Sequence, residues 1–443
     1  MSWSRLDLGV GIIALGSLDQ LWPGIADLVD VVEVEPQTLW VSRRRGGQHI
    51  AAEPLNWLRR CSRPLLSHGV GFPVGGTQAP DRDGVRAAAR SARDLGAVHW
   101  SEHLAFNAVG NAYAGFLLPP VQTPEAVTAA VKHIGYYQEL YDRPFLVETP
   151  TSYLRPVQGD LDDGAYVATI AEQADCGILL DLHNIWTNQR NGRQPVTDYL
   201  AQLPLDRVWE VHLAGGFETG GFYLDAHVGA IDPELLELAA RVVPTLPNVR
   251  AVIYEAVPAS LAAQGAEGLR RVLAGMHEIT ALPATKPVLA PGSFRPGTRS
   301  DRDRQPSFTP GTTARREAEL LAYTTRASDR LAQSDPGAAL MRALTDQARL
   351  SGLVRTHQGE LEALLSVLGA QRTEAVLTEF LTASPASSWP EEQSQAFTRW
   401  LVGRPDLRAI IAPTRNAGNG SHWREGRGWG AGGAPHINQA PRR

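Results

Sequence analysis

Seven short stretches of this chain place imidazole and carboxylate groups where apolar runs end. They are Ser67-His68-Gly69, Ser101-Glu102-His103, Val147-Glu148-Thr149, Asp181-Leu182-His183-Asn184, Val211-His212-Leu213, Asp225-Ala226-His227 and Tyr254-Glu255. None contains cysteine. Imidazole mixed with carboxylate suits zinc, iron or manganese. The groups exceed what one ion needs, and with some carboxylates bridging they suit two or three ions. Asp225 and His227 alternate along an extended segment, so they converge only if the loop turns them. A lone buried histidine is more often a hydrogen-bonded core residue, and His49, His99 and His133 are read that way. Glu33 and Glu35 are read as surface groups or as groups behind the ligands.

Elements that position such residues are legible from residue 9 to residue 280. Apolar, β-branched runs at Gly9–Leu15, Val31–Val34, Pro64–Ser67, Val98–Ser101, Pro144–Glu148, Gly177–Asp181, Arg207–His212 and Ala251–Glu255 read as strands. Helical segments lie between them, among them Gly84–Asp94, Pro124–Tyr141, Asp163–Ala174, Pro233–Val243 and Ala262–Glu278. Pro124 and Pro233 fit a first helical turn, with Thr123 and Asp232 as caps. Eight strands alternating with helices predict a (β/α)8 TIM barrel. The polar groups then all fall at the strands' C-terminal ends, the face where barrel active sites form. A doubly wound open sheet is the competing fold, but GVGIIALG lacks the glycine loop it needs.

The remaining chain is built differently. Residues 283–313 carry Pro283, Pro287, Pro291, Pro296, Pro306 and Pro310 and read as an extended linker. Residues 314–413 show helical apolar stripes: Leu361, Leu364, Leu365 and Leu368, then Val376, Leu377, Phe380 and Leu381, then Phe397, Trp400 and Leu401. Ser388-Trp389-Pro390-Glu391 looks like a helix start. This is a small all-α domain of four or five helices, followed by a Gly- and Arg-rich tail, 414–443, expected to be disordered. The net charge of −5 divides into −11 over residues 1–282 and +6 over 283–443. The acidic part holds nine of twelve histidines and suits cations better than nucleic acid. The basic part suits an acidic partner. Cys61 and Cys176 read as buried and unpaired. The N-terminus does not read as a secretory signal, and no apolar run approaches a membrane span. A cytoplasmic protein is expected.

Six motifs in order, SHGVGF (67–72), SEHLAF (101–106), VETPTSYL (147–154), LLDLHNIW (179–186), EVHLAG (210–215) and LDAHVGAIDPELLEL (224–238), resemble the multinuclear non-heme iron-dependent oxidative enzymes, relatives of the methanobactin biosynthesis oxidase. The resemblance covers roughly residues 9–280. It implies a TIM barrel with two or three irons, mixed Fe2+ and Fe3+. It implies use of O2 to modify a Cys, Asp or Asn of a ribosomally made precursor peptide. The implied iron ligands are His68, His103, Glu148, Asn184, His212, Asp225, His227 and Glu255, with Glu102, Asp181 and His183 orienting them. Three positions depart from the family pattern. Glu33 is kept, but Gln37-Thr38 stand where Glu-Asn is usual. His183-Asn184 replaces an asparagine pair, and Gly216 stands where a histidine is common. The 314–413 region resembles the helical partner that captures the precursor's leader peptide, here fused to the barrel; a plain stabilising or dimerising helical domain is the alternative. Rival readings are a redox-inert metal enzyme of the sugar isomerase or phosphodiesterase type, and a non-catalytic peptide- or metal-binding protein.

Overall fold

The structure is a computed structural model that describes residues 4–16, 18–43, 47–285, 311–331, 335–387 and 390–418. Most of the expected linker and tail lies outside these residues.

Eight parallel strands close into a barrel. In chain order, strands 1 to 8 are Gly9–Ile13, Val31–Val34, Leu65–Gly69, Trp100–His103, Phe145–Glu148, Gly177–Asp181, Val208–Ala214 and Ala251–Glu255. Strand 1 pairs with strand 8 from Gly9↔Ala251 onward, which closes the ring. The strands are buried on both faces: Val10, Ile12, Val32, Leu66, Leu146, Leu179, Val211 and Ile253 are fully buried. Register brings the polar strand ends level. His68 lies beside Ser101, His103 beside Glu148, and Asp181 beside His212.

The helices between strands start where side chains supply the missing hydrogen-bond partners. Asp81 accepts from Gly84 N at the head of Arg82–Leu95. Thr123 accepts from Ala126 N ahead of Pro124–Leu140, and Asp232 from Glu234 N ahead of Pro233–Val242. Three hairpins escape the alternation read from sequence. They pair Trp40–Arg43 with Gly47–Ile50, Phe106–Val109 with Ala112–Leu118, and Gly216–Thr219 with Phe222–Asp225. Each follows a barrel strand at its C-terminal end, and the third carries Asp225.

The chain divides into two compact units. Among the described residues the first is the barrel without its 107–118 hairpin. The second is that hairpin with residues 316–418. Its helices are Pro336–Thr356, Gln358–Ala383, Pro390–Val402 and Pro405–Gly418, preceded by Thr312–Thr324, which spans the division. The Gln358–Ala383 segment breaks at Gly369, whose φ of +73° lies where only glycine is relaxed. Its two halves turn their stripes onto one core of Leu364, Val376, Phe380, Leu381, Phe397 and Leu401. Leu365 is not part of that core and is 48% exposed. It sits about 100° around the helix from Leu364, at the stripe's edge. The last helix runs five residues into the segment expected to be tail. Pro405 and Asp406 start it, and Leu407 and Ile411 anchor it.

Candidate metal centre

Five other barrel strand ends converge on Glu148. Its Oε2 lies 3.3 Å from His68 Nε2 and 3.0 Å from His103 Nε2. His103 Nδ1 donates to the Gly69 carbonyl at 2.8 Å, so the Nε2 of a neutral ring is bare. His68 Nδ1 is tied to Ser101 Oγ at 2.8 Å. The bare His103 nitrogen therefore faces a carboxylate oxygen, and lone pairs so close need a proton or a metal cation between them. A second group joins Glu148 to Asp181, His212 and Glu255, with His212 Nδ1 3.2 Å from Glu255 Oε2. A third joins His183, Asp225 and His227. Asp225 Oδ1 lies 3.0 Å from His183 Nδ1 and 2.7 Å from His227 Nε2. Glu255 Oε1 reaches His227 Nδ1 at 3.2 Å, which links the second and third groups. His227 has φ +53°, the turn that lets Asp225 and His227 converge.

Local structure holds each side chain in place. Glu102 accepts from Phe72 N and His103 N, and a side chain at Gly69 would strike its Oε2 at 2.4 Å. Asp181 Oδ1 caps helix Leu182–Arg190 by accepting from Asn184 N, while its buried Oδ2 has no hydrogen-bond partner. The Thr151 hydroxyl lies against both Asn184 Oδ1 and Asp225 Oδ2, and Tyr153 Oη accepts from Asp225 N at 3.0 Å. The loop bearing these two residues is pinned by Arg193, which donates to the Leu154 carbonyl and is paired with buried Asp163. Thr151, Tyr153 and Arg193 were not singled out from sequence.

The expected residues converge, and two more offer donor atoms beside them. His183 and Asp181, expected to orient ligands, present donor atoms in the third and second groups. Asn184, expected as a ligand, donates from its amide nitrogen to the Thr149 carbonyl at 3.1 Å and reaches Glu148 Oε1 at 3.5 Å, while its oxygen accepts from Thr151 and keeps a second lone pair. The cause is the helix that begins at Leu182, which turns successive side chains by about 100°. Gly216 is also explained. A Cβ there would lie 2.2 Å from the Leu224 carbonyl and 3.0 Å from His183 Nε2, so a histidine does not fit. His133 holds the Val74 carbonyl from within the core, as expected.

Without ions, protons take the place between nitrogen and carboxylate. Burial opposes charge on His103, but Glu148 and Glu102 outweigh it and push its pKa up to about 10. His68, His212 and His227 rise against burial for the same reason, led by Glu148, Glu33 and Asp225 respectively. Glu148, Asp225 and Glu255 move oppositely, while burial raises Glu33. Burial would raise Glu255, yet His227 and His212 hold it near 2. Asp181 is raised well above the carboxylate range by burial and then by Glu148 and Asp225. Nitrogen and oxygen donors, buried and short of partners, fit metal ions shared through carboxylates.

Fold and site together define a TIM-barrel protein whose strand C-terminal ends gather His, Asp and Glu groups that could hold metal ions. The chain belongs to the family of RiPP precursor modification enzymes MbnB/TglH/ChrH, whose model matches residues 17–256. RiPPs are ribosomally synthesised, post-translationally modified peptides, so this is an enzyme family acting on a precursor peptide. A UPF0276 protein of Chromobacterium violaceum is 30% identical over 48% of this chain and 78% of its own length. One of Anaeromyxobacter sp. is 30% identical over 50% and 79%. Solved structures are more distant. A xylose isomerase domain protein of Salmonella typhimurium is 13% identical, with a TM-score of 0.45 over 63% of this chain and all of that one. Among the described residues no helix is long and apolar enough to cross a membrane.

Proposed function

We propose that the barrel is an O2-dependent oxidase that holds two or three iron ions and modifies a Cys, Asp or Asn residue of its precursor peptide. The observation supporting this is the linkage of three donor groups through Glu148 and Glu255. His68, His103 and Glu148 would hold one ion. Glu148, Asp181, His212 and Glu255 would hold the next, and His183, Asp225, His227 and Glu255 the third. Iron, when bound, supplies one-electron redox chemistry with O2. The chain's own residues fix the ligand atoms. Gly69 and Ser101 hold the outer ring nitrogens of His103 and His68, Thr151 and Tyr153 hold Asp225, and the closed barrel excludes water beneath. Elemental analysis after anaerobic purification should find two to three irons per chain. Precursor peptide with O2 should change mass. One ion per chain, or active protein containing only zinc, would overturn the reading.

The helical unit is proposed to hold the precursor's leader segment. It carries an apolar groove of about 950 Å3 that includes Leu350, Val354, Leu361, Leu365 and Leu377. Asp346, Glu362 and Glu374 outnumber Arg326 along it, and Arg326 is already paired with Asp346. The net positive charge of this half therefore does not lie in the groove, and an apolar segment with basic flanks suits it better than an acidic one. Leu365→Asp in the full chain should weaken precursor binding and leave iron content unchanged. Unchanged binding would remove the groove from the proposal.

A further inference from the structure

Below the strand-end ligands the barrel buries a second set of charges. Glu33 on strand 2 and Glu210 on strand 7 are each 0% exposed, His212 is likewise sealed, and His99 is 1% exposed. Glu33 Oε2 lies 2.9 Å from His212 Nε2, and Glu210 Oε1 lies 3.8 Å from it. The other Glu210 oxygen is held by His99 Nε2 at 2.9 Å. Neither oxygen facing His212 is in hydrogen-bond alignment, and both remain without any other partner. Two dry carboxylates flanking one imidazole nitrogen are costly unless positive charge is near.

The opposite edge of the same ring explains the arrangement. His212 Nδ1 points to Glu255 Oε2, inside the group formed with Glu148 and Asp181. An imidazole that gives Nδ1 to an ion keeps its proton on Nε2. In this sealed position only Glu33 and Glu210 can receive that proton. We infer that Glu33 and Glu210, the latter anchored by His99, are positioning residues that fix the ring of His212 and strengthen Nδ1 as a donor to the middle ion. This rests on the metal reading above but requires neither iron nor O2. Carboxylates behind ligating histidines raise ligand basicity, and losing one typically costs about 10- to 100-fold in metal affinity.

The test uses the full chain loaded with cobalt(II) alone, which reports ion count and ligand set by absorbance. Glu33→Gln and Glu210→Gln should each release one cobalt about 10- to 100-fold faster to a chelator, with the other ions retained. Metal-free, Glu33→Gln should melt no lower than the parent, because burial opposes the Glu33 charge, whereas Glu210 is paired with His99 and is compared by cobalt release alone. A purely packing role predicts the reverse, a lower metal-free melting temperature with unchanged cobalt release, and would overturn the inference. Should either variant fail to fold, His99→Gln loosens Glu210 while keeping both carboxylates, and faster cobalt release is again expected. Glu33→Asp, which restores charge, should recover part of the retention. A parent binding one more cobalt than the three groups can hold, lost in Glu33→Gln, would make Glu33 a ligand of an additional ion and overturn the positioning role. Parent protein that binds no cobalt would sink the metal reading itself, a result distinct from any of these.

Discussion

The barrel mouth and the helical unit bury opposite kinds of side chain. At the mouth, Glu148, Asp181, His212 and Glu255 are sealed together, and four carboxylates and five histidines stand within three linked groups. In the helical unit the core is Leu364, Val376, Phe380, Phe397 and Leu401, with Phe380 and Phe397 ring centroids 4.9 Å apart. Apolar burial stabilises a fold by itself. Buried charge does so only when an opposite charge or an ion completes it. The helical core can thus be repacked with volume conserved, whereas each mouth residue depends on the charge of its neighbours.

The largest effect is expected where two ion positions share one side chain. Glu148→Gln should take peptide turnover below detection and lower bound iron by at least one ion per chain by elemental analysis. His133→Gln, buried but hydrogen-bonded only to the Val74 carbonyl, should do neither. Equal losses in both would mean that stability, not ligation, is being measured.

Within the barrel but off the ions, Arg193→Ala should cost about 3–5 kcal/mol, because buried Asp163 loses its partner. It should also loosen the loop bearing Thr151 and Tyr153, so iron should leave faster to a chelator. Denaturant unfolding together with chelator kinetics checks both. In the helical unit Phe397→Ala should cost about 3–5 kcal/mol of that unit's stability. Iron content should not change. If it falls, the two regions are not as separable as their interiors suggest.

The smallest effect is in pH. His103 has a raised pKa, so its contribution to the metal-free protein is complete below 6.5 and fades as pH rises through about 10. Glu255 has a depressed pKa, so its contribution is complete above 4.5 and fades as pH falls through about 2. Metal-free protein should therefore melt highest between about pH 4.5 and 6.5, losing a few degrees toward pH 10. Iron-loaded protein should run the other way over that alkaline range, because the ion displaces those protons. Parallel melting curves for the two forms would break the contrast.

Much of the barrel was legible because its signals are local. Strands 2, 6 and 8 run between the same residues as read from the chain, since a short apolar run bounded by polar residues has one good placement in a closed parallel sheet. Thr123 and Asp232 cap their helices because a cap needs only the next few backbone amides. Glu210 had a local signal that was not used. It precedes His212 by two residues on one strand, so both point to the same side.

The sequence by itself determined the eight strands, the strand-end position of nearly every donor and the apolar stripes of the C-terminal helices, because side-chain period and burial preference are written residue by residue. Only the tertiary structure decided how the donors are grouped, that Asp181 and His183 offer donor atoms beside them while Asn184 bonds Thr149, Thr151 and Glu148, and that Glu33 and His99 meet at Glu210 and His212. Those choices depend on the register between strands up to 179 residues apart in the chain, such as Glu33 and His212. They depend also on the rotation imposed by the helix at Leu182 and the left-handed turn at His227, and no local pattern encodes the sum of them.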